Sequence, residues 1–195
     1  MPLLLQENFT TKLLELLRQG DIDVAIVADP FHDNGLVTQP VYDEPFVVAV
    51  PHAHPWSKRE HVESHELKEQ TMLLLGSGHC FRDHVLEVCP ELSRFSQASG
   101  GIQKTFEGSS LETIRHMVAS GIGITVLPNS ARPEARDDGL LCYLPFEEPP
   151  PFRRVSLAWR KSYSRLPAIE ALRQAILQAG LPGVQMLPDA KPINH

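Results

Sequence analysis

The chain has 195 residues, of which 42% are hydrophobic, and its formal net charge is −6. This length and apolar content are enough for one sizeable domain or two small lobes, whereas the acidic balance offers no basic surface for DNA phosphates. No stretch approaches the roughly 18 consecutive apolar residues of a membrane helix, and the first residues lack the basic start of a secretory signal, so we expect a cytoplasmic protein without a membrane partner.

The start of the chain predicts a βαβ unit. LLLQE (3–7) is typical of a buried strand, and DIDVAIVAD (21–29) is typical of a second one. Between them, TTKLLELLRQG (10–20) predicts a helix with Thr10 or Thr11 as its N-cap. Strands that are joined through a helix usually pair in parallel, so we expect an α/β fold with a parallel sheet here.

The middle of the chain predicts two strands and a short helix. FVVAV (46–50) and TMLLLGSG (71–78) favour strands, and the second of these enters a glycine turn. CFRDHVLEVC (80–89) favours a helix that Pro90 cannot prolong. The composition then turns to Ser, Gly and Gln between residues 92 and 104, which predicts an exposed loop.

SSLETIRHMVASGIGITVLP (109–128) carries the signals of a helix followed by a strand. Ser109 and Glu112 have the spacing of a capping box, and Gly121 is typical of a helix end. ITVLP then predicts a strand.

The last part of the chain predicts two strands, one helix and a loose tail. The strands are YLPF (143–146) and RVSLAWR (154–160), and the amphipathic helix is LPAIEALRQAILQAG (166–180). The remaining residues, LPGVQMLPDAKPINH, have the composition of a loose terminus.

The three cysteines form an odd set, which does not make a disulfide scaffold. In a reducing compartment, the pair Cys80 and Cys89 is better explained by reactivity or metal binding. Cys80 is expected at a helix N-terminus beside Arg82 and His79, where the helix dipole and positive charge favour its thiolate. Thiolates are the species that peroxides oxidise to sulfenic acid, which a second thiol can convert to a disulfide.

Helix geometry sets a condition on that disulfide. If residues 80–89 form one helix, nine steps separate the two Cα atoms by roughly 13 Å along the axis and place them on opposite faces. A disulfide requires Cα atoms about 4.4–6.8 Å apart. Oxidation would therefore have to unwind this segment, as a two-state switch requires.

Two other interpretations of the cysteines stay open at this point. Both thiols could be buried apolar groups without chemistry, which is the usual fate of free cysteines and the one we expect for Cys142. A zinc site could use Cys80 and His84, which share one helix face, with His79 and Cys89 as further ligands. The sequence offers no matching second ligand pair, so we expect no metal and no other cofactor.

The motif GHCFRD, with a second cysteine nine residues after the first, and the segment SLETIRHMVASGIGITVLP resemble the peroxide-sensing OxyR group of LysR-type transcription regulators. LLELLRQGDIDVAIV and DEPFVVAVPHAHPW are similar to the regulatory domain of the same family. The resemblance covers nearly the whole chain and weakens after about residue 180.

The resemblance implies a periplasmic-binding-protein-like (type 2) α/β regulatory domain of two lobes. One lobe takes residues 1–44 with 157–195, and the other takes residues 45–156. The family pattern also implies that the chain is incomplete at its N-terminus, without the winged helix-turn-helix that contacts DNA. The missing first strand and helix would leave an apolar edge and face exposed, so we expect poor solubility or association.

The resemblance also implies roles for individual residues. Cys80 is similar to the cysteine that reacts with peroxide, and Cys89 to the resolving cysteine. Thr10 stands where the family has a threonine that holds peroxide or water near the thiol. The resemblance also places three polar residues around the sulfur: His79, Arg82 and Asp83. Two departures from the family pattern are a longer loop after Cys89 and Thr105 near a position where some members carry histidine.

Three functions follow as hypotheses. The first is a redox-sensing regulatory domain that is not an enzyme: hydrogen peroxide oxidises Cys80, and a Cys80–Cys89 disulfide changes the conformation to control oxidative-stress genes. Its expected partners are further copies of the chain (a dimer, or a tetramer at full length), DNA through the missing domain, and a reductant such as glutaredoxin or thioredoxin. The alternatives are a domain that binds a small organic effector between its lobes and a thiol peroxidase.

Overall fold

The structure is a computed structural model that describes residues 3–30, 33–88, 90, 105–132 and 139–194. It divides into two compact units, and the chain passes from one to the other at Asp43/Glu44 and again at Arg153/Arg154. Unit 1 comprises Met1–Asp43, Arg154–Leu181 and Gln185–His195, and unit 2 comprises Glu44–Arg153 with Pro182–Val184. Both units combine strands with helices, so the predicted α/β class is confirmed.

Unit 1 has three layers, a sheet with one helix on each face. In chain order its elements are α1 (Thr10–Gln19), β1 (Val24–Ala28), the first part of β2 (Leu36–Pro51), most of β7 (Phe152–Arg160), α4 (Leu166–Gln178), β8 (Gln185–Met186) and β9 (Ile193–Asn194). Side chains alternate across a strand, so neighbouring residues face opposite sides of the sheet. In β7, Ala158 packs in a cluster with Leu17 of α1, whereas Leu157 packs with Ile169 of α4. The two helices therefore cover opposite faces of the sheet.

Unit 2 contains the cysteine-rich segment and the largest apolar core. Its elements are the second part of β2, β3 (Met72–Leu75), α2 (Cys80–Val88), β4 (Thr105–Gly108), α3 (Leu111–Ala119), β5 (Thr125–Pro128) and β6 (Leu141–Pro145). β3 pairs with β4 in parallel, and β2 pairs with β5 and β6 antiparallel. All four residues of β3 are buried in this core.

The predicted first strand is wrong. Residues 3–9 have no regular secondary structure, and Leu3, Leu4 and Leu5 are 63%, 95% and 81% exposed. A strand needs a neighbour to take up its backbone N–H and C=O groups, and apolar composition alone does not provide one. Without that strand there is no βαβ unit, and the expected parallel pairing is also wrong: β1 pairs antiparallel with β7.

Two predicted helix caps are wrong by one residue. The N-cap of α1 is Phe9, which makes no side-chain cap hydrogen bond, and Thr10 is the first helical residue. The N-cap of α3 is Ser110, whose Oγ accepts a hydrogen bond from the backbone N–H of Thr113 at 3.1 Å, so Ser109 does not start a capping box. Ser109 and Ser110 offer the same hydroxyl at two positions, and the sequence does not say which one leaves the helix. In α1 both threonines lie inside the helix, since a hydroxyl residue near a helix start does not by itself fix the boundary.

The tail is more ordered than its composition suggests. β8 and β9 pair antiparallel with β2, with Tyr42 opposite Met186 and Thr38 opposite Ile193. Buried Arg173 of α4 donates a hydrogen bond to the carbonyl oxygen of Leu187 at 3.2 Å and another to that of Pro188. The prolines and glycines of this segment prevented a strand prediction, but the two strands are only two residues long and contain neither residue type.

The exposed leucines give the first testable expectation. We expect the 195-residue chain to self-associate, because three consecutive leucines more than 60% exposed form an apolar segment at the surface. Light scattering after size-exclusion chromatography should show a mass that rises with concentration, and Leu4→Asp should reduce that rise. Leu140→Asp, at a leucine that is 51% exposed, is the control and should leave it unchanged. A monomer at every concentration would contradict the expectation.

Candidate functional site

Cys80 begins α2, directly after a glycine turn that leaves the buried strand β3. Gly78 has φ of 98°, a left-handed conformation that favours glycine, and it redirects the chain so that α2 starts at Cys80. The helix ends at Val88, two residues before Pro90, so the predicted helix is confirmed. Cys80 is half-buried and carries a free thiol.

Apolar contacts hold α2 against the core of unit 2. Phe81 is 5% exposed, and its ring meets the ring of Phe46 edge to face at a centroid distance of 5.2 Å. Val85, one turn later, is 2% exposed. His84 is also buried, at 7% exposure. Phe81 therefore anchors the start of α2 to the core, while Cys80 keeps partial access to solvent.

Arg82 makes its described contacts with the neighbouring strands β3 and β4. Its Nη1 donates a hydrogen bond to the carbonyl oxygen of Leu75 at 2.7 Å and lies 2.7 Å from Oε1 of Glu107. Two residues correspond to about 200° around a helix, so the side chains of Cys80 and Arg82 leave α2 on different sides. A role for Arg82 in the polar surroundings of the sulfur stays a prediction.

His79 and Asp83 flank the reactive position along the chain. His79 is half-buried, and its carbonyl oxygen accepts a hydrogen bond from the backbone N–H of Arg82 at 3.0 Å, which closes the turn that precedes the helix. Asp83 is exposed in the first turn of α2, where a negative charge interacts favourably with the helix dipole. Both residues therefore stabilise the first turn of α2. Their predicted roles in the polar surroundings of the sulfur stay predictions.

The other predicted site residues lie elsewhere. Thr10 is the half-buried first residue of α1 in unit 1, whereas Cys80 belongs to unit 2, and its place beside the thiol stays a prediction. Cys89 lies outside the described residues, as does the predicted loop between residues 92 and 104.

Cys142 lies on β6, as expected, and is half-buried at the edge of the unit 2 core. Its Sγ is 3.4 Å from Nδ1 of His52. Within the described ranges, no group of three or more His, Cys, Asp or Glu residues could hold a metal ion. Nor is any helix in these ranges long and apolar enough to cross a membrane.

A buried ion pair beside Phe81 was not anticipated. Glu44 has a side chain that is 1% exposed; its Oε2 lies 2.6 Å from Nε of Arg153, and its Oε1 accepts a hydrogen bond from Ser130. The Arg153 guanidinium stacks over the Phe81 ring at 5.1 Å from its centroid. The signal in the sequence is an acidic residue at the start of the apolar run EPFVVAV, since a buried carboxylate requires a charged partner.

The described residues around Cys80 leave its thiol within reach of a small oxidant. The Cys80 sulfur stands at the first residue of α2, and its partial exposure admits a small oxidant. A thiolate in this setting can be oxidised to a sulfenic acid.

Comparison with protein families gives one match along most of the chain. The family model described as the LysR substrate binding domain matches residues 1–180. A "Hydrogen peroxide-inducible genes activator" of Dickeya chrysanthemi is 38% identical over 156 residues, which are 80% of this chain and 49% of that protein. The "DNA-binding transcriptional dual regulator OxyR" of Escherichia coli K12 is 37% identical over 174 residues, 88% of this chain and 54% of that one.

The fold has a similar counterpart among solved structures. The reduced form of OxyR from N. meningitidis is 48% identical and superposes with a TM-score of 0.89, covering 96% of this chain and 86% of that one. The chain thus spans about half the length of the two curated relatives named above, and most of the solved domain.

Proposed function

Since the chain belongs to the LysR substrate-binding domain family, and within it to the group of OxyR regulatory domains, we propose that it is the peroxide-sensing regulatory domain of a transcription regulator. In this proposal, hydrogen peroxide oxidises Cys80, and a Cys80–Cys89 disulfide changes the conformation of unit 2. The names of the relatives support peroxide as the stimulus.

One observation carries the proposal: a free, half-buried thiol stands at the first residue of a nine-residue helix, and the second cysteine follows the last residue of that helix. The helix keeps its two ends more than 10 Å apart, since each residue adds about 1.5 Å along the axis. The disulfide and the intact helix are therefore mutually exclusive, so each oxidation state has its own backbone conformation.

The chemistry balances with peroxide as the two-electron oxidant. The Cys80 thiolate attacks one oxygen of hydrogen peroxide and breaks the O–O bond, which gives the sulfenic acid and, after protonation of the hydroxide that leaves, one water. The Cys89 thiol then attacks the sulfenic sulfur, forms the S–S bond and releases a second water. Each event consumes one peroxide, and a dithiol reductant such as thioredoxin or glutaredoxin must return the two electrons before another can follow.

This is stoichiometric sensing and not turnover, so the proposal assigns no enzymatic activity to the chain.

The full regulator would act in the cytoplasm as a dimer or tetramer and would contact DNA through an N-terminal domain. The two compact units correspond in this proposal to the two lobes of the regulatory domain.

Mass spectrometry after treatment with stoichiometric hydrogen peroxide tests the proposal. We expect a disulfide that links Cys80 to Cys89 in the wild type, and sulfenic acid or higher oxides on Cys80 in Cys89→Ser. Cys80→Ser should stay unmodified at Cys89, while Cys142→Ser should behave like the wild type. An unreactive Cys80 in the wild type would overturn the proposal and favour a domain that responds to a small organic effector.

A further inference from the structure

Arg82 joins the first turn of α2 to two strands. Its Nη1 lies 2.7 Å from the carbonyl oxygen of Leu75, the last residue of β3, and 2.7 Å from Oε1 of Glu107 in β4. β3 and β4 pair in parallel, with Leu74 opposite Glu107. One guanidinium group therefore fixes the position of α2 relative to both strands.

The ion pair is partly sheltered from water. The side chain of Arg82 is 17% exposed and that of Glu107 is 53% exposed. Both contacts of Arg82 are charge-assisted and short, a class of hydrogen bond that is stronger than its neutral counterpart. Solvent still reaches the carboxylate, so the energy of the pair lies near the values measured for exposed pairs with good geometry.

One partner of the ion pair lies within the segment that the redox switch must unwind, if the proposed function holds. Arg82 lies two residues after Cys80, inside the segment that must lose its helical conformation before Cys80 can reach Cys89. Its contacts with Leu75 and Glu107 exist in the helical form with free thiol. Energy that stabilises only this form is lost when the disulfide closes.

We propose that Glu107, acting through Arg82, is a positioning residue that holds the first turn of α2 on the β3–β4 pair and thereby sets the equilibrium between the reduced and disulfide forms. Removing the carboxylate charge weakens the reduced helix and leaves the chemistry at the sulfur unchanged. The disulfide then forms at a more reducing potential.

The expected change in midpoint potential follows from the exposure of the Arg82–Glu107 ion pair. Loss of a half-exposed ion pair changes an equilibrium constant by about threefold. A tenfold change in this two-electron couple is about 30 mV, so Glu107→Gln should lower the midpoint potential by roughly 14 mV. High salt screens the pair, so the wild-type and Glu107→Gln potentials should approach each other as the ionic strength rises.

The experiment is a redox titration of the 195-residue chain in buffers of reduced and oxidised glutathione, with free thiols alkylated and the Cys80–Cys89 disulfide read by mass spectrometry. Glu112→Gln is the matched control. Glu112 pairs with Arg115 at 2.9 Å with side-chain exposures of 63% and 18%, but its described ion-pair partners, Arg115 and His116, both lie on its own helix α3 and not on α2. Only Glu107→Gln should shift the potential, and the rate of Cys80 oxidation in a Cys89→Ser background should not change. An equal potential in the wild type and Glu107→Gln would overturn the inference.

Hydrogen exchange on the reduced protein gives a second readout that needs no disulfide. We expect the amides of residues 80–88 to exchange about threefold faster in Glu107→Gln than in the wild type, and at the wild-type rate in Glu112→Gln. If no Cys80–Cys89 disulfide forms in the wild type, the proposed function and the redox part of the inference fail together, and this measurement tests the positioning role of Glu107 by itself. Unchanged exchange in Glu107→Gln would then overturn it.

Discussion

Arg153→Ala is expected to lower the free energy of unfolding of unit 2 by about 3–5 kcal/mol, because it leaves the buried Glu44 carboxylate without its cationic partner. The Glu44 side chain is 1% exposed, and its remaining described hydrogen-bond donor is Ser130. The substitution also removes the guanidinium that stacks on Phe81. The large penalty comes from the unpaired buried charge, since an intact buried pair contributes little net stability.

Arg154→Ala is the matched control for this prediction. Arg154 is the next residue and pairs bidentately with Asp43, with both distances at 2.8 Å, but its side chain is 44% exposed. The Asp43 side chain is 14% exposed, against 1% for Glu44, so water still reaches both partners once the pair is broken and we expect a smaller loss, of about 1 kcal/mol. The two arginines thus differ in the burial of the carboxylate and in the expected effect.

Urea unfolding monitored by tryptophan fluorescence measures the difference, with one probe in each unit. Trp56 is buried in the core of unit 2 and, in a Trp159→Phe background, reports Arg153→Ala. Trp159 is buried in the core of unit 1 and, in a Trp56→Phe background, reports Arg154→Ala. Adding Glu44→Gln to Arg153→Ala should recover part of the lost stability, because the neutral amide costs less to bury than a carboxylate. Equal losses for Arg153→Ala and Arg154→Ala would show that the Glu44 charge is not the cause.

The helix at the redox position could be predicted because every determinant is local. A glycine turn precedes it, apolar residues at 81 and 85 face one side, and Pro90 prevents its continuation. The structure begins α2 at Cys80 and ends it at Val88, in agreement with this prediction. The placement of Cys80 at a helix N-terminus follows from the same local signals.

The predictions that failed depend on partners or on equivalent neighbours. Residues 3–7 have the composition of a strand, but the described chain gives them no strand to pair with. Ser109 and Ser110 are chemically equivalent candidates for one cap, and the structure selects the second. Residues 185–186 and 193–194 form strands only because β2 lies next to them.

The ion pairs around α2 could not be predicted for a related reason. Arg82 and Glu107 are 25 positions apart, and they meet only because β3 and β4 pair in one particular parallel register. Glu44 and Arg153 are 109 positions apart. A sequence shows which residues carry charge, whereas the register of distant strands decides which charges are adjacent.

Oxidation is expected to produce the largest change in the molecule, the loss of α2. A disulfide needs the two Cα atoms within about 7 Å, and a helix from residue 80 to residue 88 holds its ends farther apart than that. The covalent bond therefore selects backbone conformations in which the amides of α2 no longer donate within the helix. Their hydrogen-exchange protection should fall by about two orders of magnitude, towards that of an unstructured segment.

The helix α3 is a built-in control for this change. It has nine residues, like α2, and it packs in the same unit without a cysteine. Its protection should stay within about threefold of the reduced value, as expected for an element whose backbone hydrogen bonds survive. Oxidised Cys89→Ser should keep the protection of α2 as well, because a sulfenic acid at position 80 imposes no new distance.

The most direct test of this switch is hydrogen exchange of residues 80–88, measured before and after treatment with stoichiometric peroxide. Mass spectrometry verifies the Cys80–Cys89 disulfide in the oxidised samples. The account predicts that protection disappears across α2 in the disulfide form, persists in α3 and returns when the bond is reduced. Full protection of residues 80–88 in a sample that carries the disulfide would contradict it.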